Sequence, residues 1–463
     1  MLPLPSKPHC YCLIPDVSGN AFLAVPAGEG LWTLPTVEHD DVWFAHASTA
    51  VARSATERYG IPITALREHT VADCRVCELE IQAPQWTPPA GTHWIACSDL
   101  AATTLEPAAL SALLRAWFFE RESGAIPSLR PAWERPGWYA EAVRWILSEC
   151  TRLGYAPSGP VEQLKAAWSL SSILRVNSSV GALYFKADWG KPPSEPAVID
   201  ALARRWPRNV PAVVAADHDR GWMLMRDFGE RSLDGEPIAR WQAANRTFAT
   251  IQVACSADLE PWWRLGCPDL RIPVLAAYMD RLLGDNAALR IDEPCGLTTA
   301  AATRLRELVP RLHDLWDELA AIPIPASIVQ QDFRHGNLVM SGRSYVFYDW
   351  SDTVVSHPFF ACCRFLDFVH RGPHPRRGLP VEERRRRITD AYLEPWTSIL
   401  GHTDLQRAFE LARRLNPIYV AIRWYLDAPY CEPTSSWGRG MLESPARELR
   451  HWLARMDKMA SGP

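Results

Sequence analysis

The most informative part of this chain is Gln331-Asp332-Phe333-Arg334-His335-Gly336-Asn337, together with Tyr345-Val346-Phe347-Tyr348-Asp349. Asn337 lies five residues after Asp332, and Asp349 ends an apolar run that is typical of a strand. A short loop would keep Asp332 near Asn337, and a hairpin would return Asp349 opposite them. Two carboxylates and an amide oxygen in this arrangement can meet a hydroxyl group and hold magnesium on phosphates, as phosphoryl transfer from ATP requires.

The form of these two segments indicates a family. The spacing from Asp332 to Asn337 equals that in the catalytic loop of protein kinases. Trp350 follows Asp349, where protein kinases have Phe-Gly. The segments resemble the aminoglycoside phosphotransferase and choline kinase family, which typically has His-Gly-Asp-x-x-x-Gly-Asn and then a strand ending in Asp-Trp. The resemblance covers about residues 165 to 370 well and the rest of the C-terminal part loosely. Gln330 replaces the motif histidine that usually braces this loop.

The resemblance implies an α+β chain with a bilobal protein-kinase-like domain and a role for each motif residue. Asp332 would orient the acceptor hydroxyl and accept its proton, and Arg334 could neutralise the migrating phosphoryl group, since arginine is always charged. Asn337 and Asp349 would ligate magnesium. Asp352 is a weaker candidate, as a supporting residue or a turn former. Taken alone, Asp and Asn residues with this spacing could equally be turn residues.

The segment upstream has the pattern of a nucleotide-binding lobe. Two apolar runs, 172–176 and 182–187, flank a turn-forming segment and predict a β-hairpin. Lys186, the charged residue of the second run, would reach the α- and β-phosphates. Glu195 begins a predicted helix and would orient that lysine. The alternative is a surface lysine and a glutamate that only stabilises the start of the helix.

Two further segments are candidates for contacts with the nucleotide. No glycine-rich phosphate loop is visible, and Trp168-Ser169-Leu170-Ser171-Ser172 occupies its place. Hydroxyl groups such as that of Ser171, with backbone amides, would have to bind the phosphates. Residues 221–229 read as a strand and a turn that resemble the family's hinge. Backbone groups from Met225 to Asp227 would meet the edge of the adenine.

The N-terminal part resembles a Nudix domain with a degenerate box. Arg53, Glu57, Gly60 and Ile61 match the end of the box, Arg-Glu-x-x-Glu-Glu-x-Gly and an apolar residue. Two of the three glutamates of the box are replaced, by Ser54 and Arg58. The upstream glycine and glutamate positions of the box are occupied by His39 and Ala45. A lone glutamate beside an arginine cannot hold a cluster of divalent metal ions. We therefore expect a Nudix-like α/β fold without hydrolase activity, acting as a sensor or docking surface, or else an unrelated α/β domain.

Proline-rich and glycine-containing segments predict the domain boundaries, and the composition argues against a nucleic-acid-binding or membrane protein. We predict a Nudix-like domain at 1–125, a proline-rich linker and helix at 126–160, a kinase-like N-terminal lobe at 161–230 and a helical C-terminal lobe at 231–463. The net charge of -4 and the pI near 6.4 do not indicate the basic surface that nucleic-acid binding requires. The absence of a long apolar run or a signal-peptide pattern predicts no membrane span and a cytoplasmic location.

We predict that most cysteines and one run of basic residues have a structural and not a functional role. The 12 cysteines are scattered and are expected to be buried free thiols, although Cys10 and Cys12 with Cys74 and Cys77 could bind zinc. The basic run 384–387 is interpreted as the solvated face of a helix.

Two functions therefore remain after the sequence is read. The first is a kinase that uses ATP and Mg²⁺ to phosphorylate a hydroxyl of a small molecule or natural-product intermediate, with a peptide acceptor also possible. The second is a pseudokinase, a nucleotide-binding scaffold or sensor, because both parts of the chain carry eroded motifs. Nudix hydrolysis is the weakest option. The acceptor and the oligomeric state do not follow from the sequence.

Overall fold

The computed structural model describes residues 9–38, 47–165, 170–369 and 379–460. These residues form helices and separate β-sheets, so the prediction of an α+β chain is confirmed. They group into two compact units. The first runs up to Trp189 and includes Tyr430–Arg439, and the second contains Gly190–Pro429 and the chain from Gly440 onward. The four domain boundaries predicted from the sequence stay predictions. In the described part of the chain, no helix has the length and apolar character needed to cross a membrane.

The first unit contains eleven strands and four α-helices among its described residues. They are β1 (His9–Leu13), β2 (Ala21–Gly28), β3 (Leu31–Thr33), β4 (Thr36–Glu38), α1 (Ala47–Tyr59), β5 (Ile63–Val71), β6 (Cys74–Ile81), β7 (His93–Ala96), α2 (Cys97–Leu100), β8 (Thr104–Leu105), α3 (Leu110–Ser123), α4 (Trp138–Arg152), β9 (Pro157–Lys165), β10 (Ser171–Ser178) and β11 (Gly181–Asp188).

The N-terminal strands form two four-stranded sheets. Their orders are β4-β1-β6-β5 and β7-β2-β3-β8. The sequence predicts a hairpin from Cys10 to Val25, and the chain just after β1 does pair with β2 next to the turn, through an isolated bridge between Pro15 and Phe22. Beyond that bridge the two strands enter different sheets, because β1 pairs with β4 and β6 while β2 pairs with β3 and β7. The hairpin prediction is therefore right only at the turn.

Helix α1 carries the box residues of the Nudix resemblance. Arg53 and Glu57 are exposed, and Arg58 donates a hydrogen bond to the carbonyl of Thr36 at 2.8 Å. Gly60 has a φ of +67° and ends the helix, with its N–H bonded to the carbonyl of Thr56. A left-handed residue after the last turn favours glycine, so this position of the box has a structural reason of its own. His39 and Ala45 lie outside the described residues, and the Nudix resemblance stays a prediction.

The cysteines of the first sheet belong to its core. Cys12 lies opposite Cys77 where β1 and β6 run parallel, and burial raises the pKa of both thiols. Both side chains pack in one apolar cluster with residues such as Leu79 and Val51. All 12 cysteines are free thiols, and most are buried. The packing interpretation therefore accounts for Cys12 and Cys77.

The predicted hairpin of the nucleotide lobe is present. Strand β10 pairs antiparallel with β11 from Ser171 opposite Asp188 to Ser178 opposite Gly181, which leaves a two-residue turn. Strand β9 pairs with the other edge of β10. The hairpin prediction is confirmed because alternating apolar residues and a tight polar turn specify this structure locally.

The second unit is mainly helical. Its elements are α5 (Glu195–Ala203), β12 (Val213–Asp217), β13 (Trp222–Arg226), α6 (Ile238–Cys255), α7 (Glu260–Arg264), β14 (Asp269–Leu270), α8 (Ile272–Gly284), α9 (Asn286–Leu289), α10 (Thr299–Glu307), α11 (Val309–Ala320), β15 (Ser327–Gln330), β16 (Leu338–Ser341), β17 (Ser344–Phe347), β18 (Thr353–Ser356), α12 (Phe359–Asp367), α13 (Val381–Leu393), α14 (His402–Asp427) and α15 (Ser436–Ala460). Strand β15 pairs antiparallel with β18, and β16 with β17.

An aromatic core lies beneath the motif segments of this unit. Phe333 stacks on Phe248 with ring centroids 3.8 Å apart, and Trp350 stacks on the other side of the same cluster, 5.9 Å from Phe248. Phe347 and Phe365 complete it, and all five rings are fully buried. Burying one such side chain stabilises the fold by about 1.5–3 kcal/mol. The segments that carry Asp332 and Asp349 are thus anchored by their own aromatic neighbours in the sequence.

Candidate active site

The loop between β15 and β16 carries Asp332 and ends in one turn of 3-10 helix at His335–Asn337. The amide nitrogen of Asn337 donates to the backbone carbonyl of Asp332 at 2.9 Å and to its Oδ2 at 3.1 Å. The side-chain oxygen of Asn337 is therefore the atom that could ligate a cation. The structure brings together the two residues that the five-residue spacing predicted to be neighbours.

The hairpin β16–β17 returns the chain to the same loop. The N–H of Tyr348 donates to the carbonyl of Asn337 at 3.1 Å, so Asp349 follows directly after a residue bonded to Asn337. Asp349 has a φ of +67°, a left-handed conformation that few residues other than glycine adopt but that aspartate tolerates. Asn337 directly precedes β16, and Asp349 follows shortly after β17. The structure thus places both residues at the open end of the β16–β17 hairpin.

Gln330 fixes the segment that carries Asp349. Its Nε2 donates to the carbonyl of Tyr348 at 2.7 Å and to the carbonyl of Asp349 at 2.8 Å. Gln330 is fully buried, and a buried hydrogen bond of this kind is costly to remove. The glutamine at the position of the motif histidine therefore braces the segment that carries Asp349.

Three arginines surround the carboxylate of Asp332. Arg364 Nη2 lies 2.8 Å from Oδ1, Arg334 Nε lies 2.8 Å from Oδ2, and Arg423 Nη1 lies 3.9 Å from Oδ1. Burial opposes the ionisation of Asp332, but the charges of Arg364, Arg423 and Arg334 outweigh it and hold the pKa of this carboxyl well below its usual range. Asp332 is therefore ionised at every physiological pH and is a weak base.

A buried network of charges supports this carboxylate from α14. Arg423 donates to the carbonyl of Gln331 at 3.0 Å and forms ion pairs with Asp352 and with Asp427. Lys191 pairs with Asp427 and lies 3.9 Å from Asp352. Burial raises the pKa of Asp352, against the opposing charges of Arg423 and Lys191. Asp352 thus belongs to the charge network behind Asp332 and also lies in the turn before β18, so both of its predicted roles stay predictions.

Glu195 contacts the backbone next to Asp349. It is the first residue of α5 and 1% exposed, and its Oε1 accepts a hydrogen bond from the N–H of Trp350 at 3.0 Å. Lys186 lies on β11 in the first unit, opposite Ile173, and is 7% exposed. The alternative of a surface lysine is therefore wrong. The role of Lys186 at phosphates, and that of Glu195 in orienting it, stay predictions.

The remaining predicted nucleotide contacts have these positions. Ser171 is buried at the start of β10 in the first unit. Met225 is buried on β13 in the second unit, opposite Val213, and Asp227 is exposed just after this strand. The carboxylate of Asp227 accepts a hydrogen bond from the N–H of Gly229 at 2.8 Å, so the aspartate stabilises the predicted turn. Trp168 and Ser169 lie outside the described residues.

The donors present suit a metal ion that is shared with a substrate. Among the described residues, no three His, Cys, Asp or Glu side chains come together as a set of metal ligands. Asn337 and Asp349 offer an amide oxygen and a carboxylate, both hard ligands. Mg²⁺ in phosphoryl-transfer enzymes takes one or two protein ligands and fills its other positions with phosphate oxygens and water. The residues present therefore fit a magnesium ion held on nucleotide phosphates.

Sequence reasoning missed most of the charges around Asp332. Lys191, Arg364, Arg423 and Asp427 belong to segments far from the motif in the chain. A partial signal existed for Arg364, which is the basic residue of the helix after the Asp-Trp segment. No local signal distinguishes Arg423 from the other arginines of α14.

Comparison with known proteins gives structural likenesses only. No protein-family model matches the chain, and a search of curated proteins finds no match. The chain is similar to a macrolide 2'-phosphotransferase type I, at 12% identity over 67% of this chain and 97% of the other, with a TM-score of 0.45. It is also similar to a choline/ethanolamine kinase family protein from Mesorhizobium loti, at 12% identity, 68% and 94% coverage and a TM-score of 0.44.

A third likeness is to choline kinase from Cryptosporidium parvum Iowa II, at 11% identity over 70% of this chain and 93% of the other, with a TM-score of 0.43. By their printed names all three are kinases or phosphotransferases, the class to which the sequence resemblance pointed.

Proposed function

We propose that this protein is an ATP- and Mg²⁺-dependent phosphotransferase that phosphorylates a hydroxyl group of a small molecule. One observation carries the proposal. The amide of Asn337 is bonded to Asp332, while Gln330 fixes the backbone of Tyr348 and Asp349 beside them. A positioned carboxylate next to two hard oxygen ligands is the arrangement that phosphoryl transfer needs.

In this reaction the bond between the γ-phosphorus and the β,γ-bridging oxygen breaks, and a bond from phosphorus to the acceptor oxygen forms. ADP leaves, and the hydroxyl proton is released. Because its pKa is well below the usual range, Asp332 is too weak a base to keep that proton, which ends in solvent. Asp332 would act chiefly by accepting a hydrogen bond from the hydroxyl and orienting it toward phosphorus. Such positioning is the main source of rate in a loose transition state.

Several residues would share the phosphate charge. Asn337 and Asp349 would hold a magnesium ion, which would supply positive charge to the phosphates. Lys186, positioned by Glu195, would bind the α- and β-phosphates with the help of Ser171. Backbone groups from Met225 to Asp227 would meet the adenine. Arg334, whose side chain is 37% exposed, is the cation of the loop that could turn from Asp332 to the transferred phosphoryl group.

A second candidate, the pseudokinase, is favoured by one observation. Both carboxylate oxygens of Asp332 already accept hydrogen bonds, from Arg364 on one side and from Arg334 and Asn337 on the other. An acceptor hydroxyl therefore has to displace a donor, and Arg334 is the more exposed of the two arginines. If Arg334 stays on Asp332, the protein binds nucleotide without transferring phosphate.

The deciding experiment is calorimetry of ATP with and without Mg²⁺, on the wild type and on Asp349→Ala. Magnesium-dependent binding that weakens in the variant supports the phosphotransferase, and formation of ADP with hydroxyl compounds then separates it from the pseudokinase. Peptides with serine or threonine belong in the same acceptor screen. Asp332→Ala should abolish transfer and leave MgATP binding intact. Failure of the wild type to bind MgATP would overturn both candidates.

A further inference from the structure

A large cavity lies within the helical part of the second unit. Its volume is about 1040 Å³, and its walls come from α11, α12, α13, α14 and α15. On α14 the wall includes Arg413, Asn416 and Val420, and on α15 it includes Arg447 and Arg455. These spacings of three, four and eight residues put the side chains of each helix on one face. The cavity is thus formed by faces that the helices turn toward each other.

The walls of this cavity carry a strong positive charge. Of the residues that line it, seven are arginines and two, Asp367 and Glu448, are acidic. Three of the arginines have a carboxylate partner of their own on the same helix, in the pairs Arg311–Asp314, Arg385–Glu382 and Arg413–Glu410. Asp367 faces Arg364, Arg455 and Arg385. The two wall carboxylates therefore cannot balance the guanidinium groups around them.

Three of the arginines are available to a ligand. Among the described residues, Arg414, Arg447 and Arg455 form no ion pair with a carboxylate, and Arg447 donates to the hydroxyl of Ser444. Arg414 and Arg455 are exposed within the cavity wall. Guanidinium groups bind carboxylates and phosphates with two parallel hydrogen bonds. Their grouping favours an anion in the cavity and disfavours a cation.

One wall residue of the cavity contacts the candidate catalytic carboxylate. Arg364 lines it and at the same time donates to Asp332 at 2.8 Å. Phe368 also lines it, with the guanidinium of Arg364 4.5 Å and that of Arg334 5.7 Å from its ring centroid. A molecule in the cavity would thus contact Arg364, which is bonded to Asp332. The volume of the cavity lies just above the ~300–1,000 Å³ that is typical of small-molecule sites.

We propose that this cavity is the acceptor site and that the acceptor is an anionic hydroxyl compound bearing a carboxylate or phosphate group. The anion binds Arg414, Arg447 and Arg455, and Trp424 and Trp452 of the same wall supply apolar contact. A hydroxyl of the same molecule then lies toward Arg364 and Asp332. This inference rests on the proposed function, whose site it completes, and it excludes polycationic acceptors.

The test uses binding of anions to the full chain with the nucleotide site filled by a non-hydrolysable ATP analogue and Mg²⁺. The probes are citrate and glycerol 3-phosphate as anions, glucose as a neutral compound, and choline and kanamycin as cations. Affinity is measured by calorimetry for the wild type and for the double variant Arg414→Gln/Arg455→Gln. The control is Arg407→Gln, because Arg407 lies on α14 with Arg414, is 64% exposed and does not line the cavity.

We expect the anionic probes to bind the wild type and the Arg407→Gln control equally, and the double variant about tenfold more weakly. The anion that binds with the higher affinity identifies the favoured group, carboxylate or phosphate. No anion binding by the wild type, unchanged binding by the double variant, or preferential binding or phosphorylation of choline or kanamycin would each overturn the inference.

The same experiment separates this inference from the proposed function. Citrate titrated without nucleotide reports on the cavity alone. Binding of citrate with no binding of the ATP analogue would contradict the phosphotransferase and leave the anion site standing. Phosphorylation of kanamycin or choline would support the phosphotransferase and contradict the anionic acceptor.

Discussion

Gln330 donates hydrogen bonds to the carbonyls of Tyr348 and Asp349, one on each side of the Asp349 Cα, at 2.7 and 2.8 Å. One buried amide group therefore sets the position of the candidate metal ligand. Because the two bonds hold the carbonyls before and after the Asp349 Cα, they restrict the backbone rotations that would redirect its carboxylate. The residue that replaces the motif histidine thus makes a structural contact of its own.

The first prediction tests this contact with an isosteric change. Gln330→Glu puts a carboxylate in place of the donor, opposite two carbonyl oxygens, and should destabilise the fold by about 2–3 kcal/mol. It should also weaken Mg²⁺-dependent ATP binding about tenfold or more, measured by calorimetry. Gln330→His, which keeps one N–H donor, should have a stability and an MgATP affinity between those of Gln330→Glu and the wild type. Equal MgATP affinity in Gln330→Glu and the wild type would contradict the bracing role.

The second prediction concerns the charge of Asp332. Asp332→Asn should abolish transfer and, because it leaves Arg364, Arg334 and Arg423 without their shared carboxylate, cost about 2–4 kcal/mol of unfolding free energy. The folded pKa of Asp332 lies below its unfolded value, so this contribution is complete above pH 5 and is lost as the pH falls. Denaturant titrations should give a constant difference between variant and wild type from pH 5 to 8, and a smaller one near pH 3. A difference in unfolding free energy that changes between pH 6 and 8 would contradict the low pKa of Asp332.

The third prediction concerns the buried network on α14. Arg423→Met leaves Asp352 and Asp427 buried with Lys191 as their remaining cation, and should destabilise the protein by about 3–5 kcal/mol. The exposed Arg407→Met on the same helix is the matched control and should change stability by less than about 0.5 kcal/mol. Chemical denaturation of both variants measures this. Similar losses in the two would show that helix propensity, and not the charge network, is responsible.

The fourth prediction concerns Glu134 in the first unit. Burial, and to a lesser extent the charge of Glu432, raise the pKa of Glu134 to about 7, against the opposing charges of Arg67 and Arg130. The folded state thus keeps a proton that the unfolded chain releases near pH 4.5, so stability falls as the pH rises from about 4.5 to above 7. Glu134→Gln removes this dependence.

At pH 8 the Glu134→Gln variant should be more stable than the wild type by up to about 3 kcal/mol, and at pH 4.5 the two should agree. Thermal or denaturant unfolding across this range measures the difference. Because the glutamine stays uncharged throughout, a gap of the same size at both pH values would assign the effect to packing and contradict the titration.

Local features of this protein could be predicted from its sequence because short-range geometry determines them. The loop that joins Asp332 to Asn337 and the β10–β11 hairpin follow from spacing, turn residues and apolar runs within a few residues. The buried positions of Phe333 and Trp350 also belong to the motif itself. For the same reason the hairpin predicted from Cys10 to Val25 is right only at its turn, since the choice of partner strands is non-local.

Only the tertiary structure decided which charges surround Asp332. Arg423 and Arg407 are the same residue type on the same helix, yet one is buried against three carboxylates and the other is exposed. Nothing within a few residues of either arginine encodes this difference, because it depends on which helix face meets the loop after β15. The arginine-lined cavity has the same origin. The sequence alone therefore determined the candidate chemistry, and the packing of distant helices determined its electrostatic surroundings.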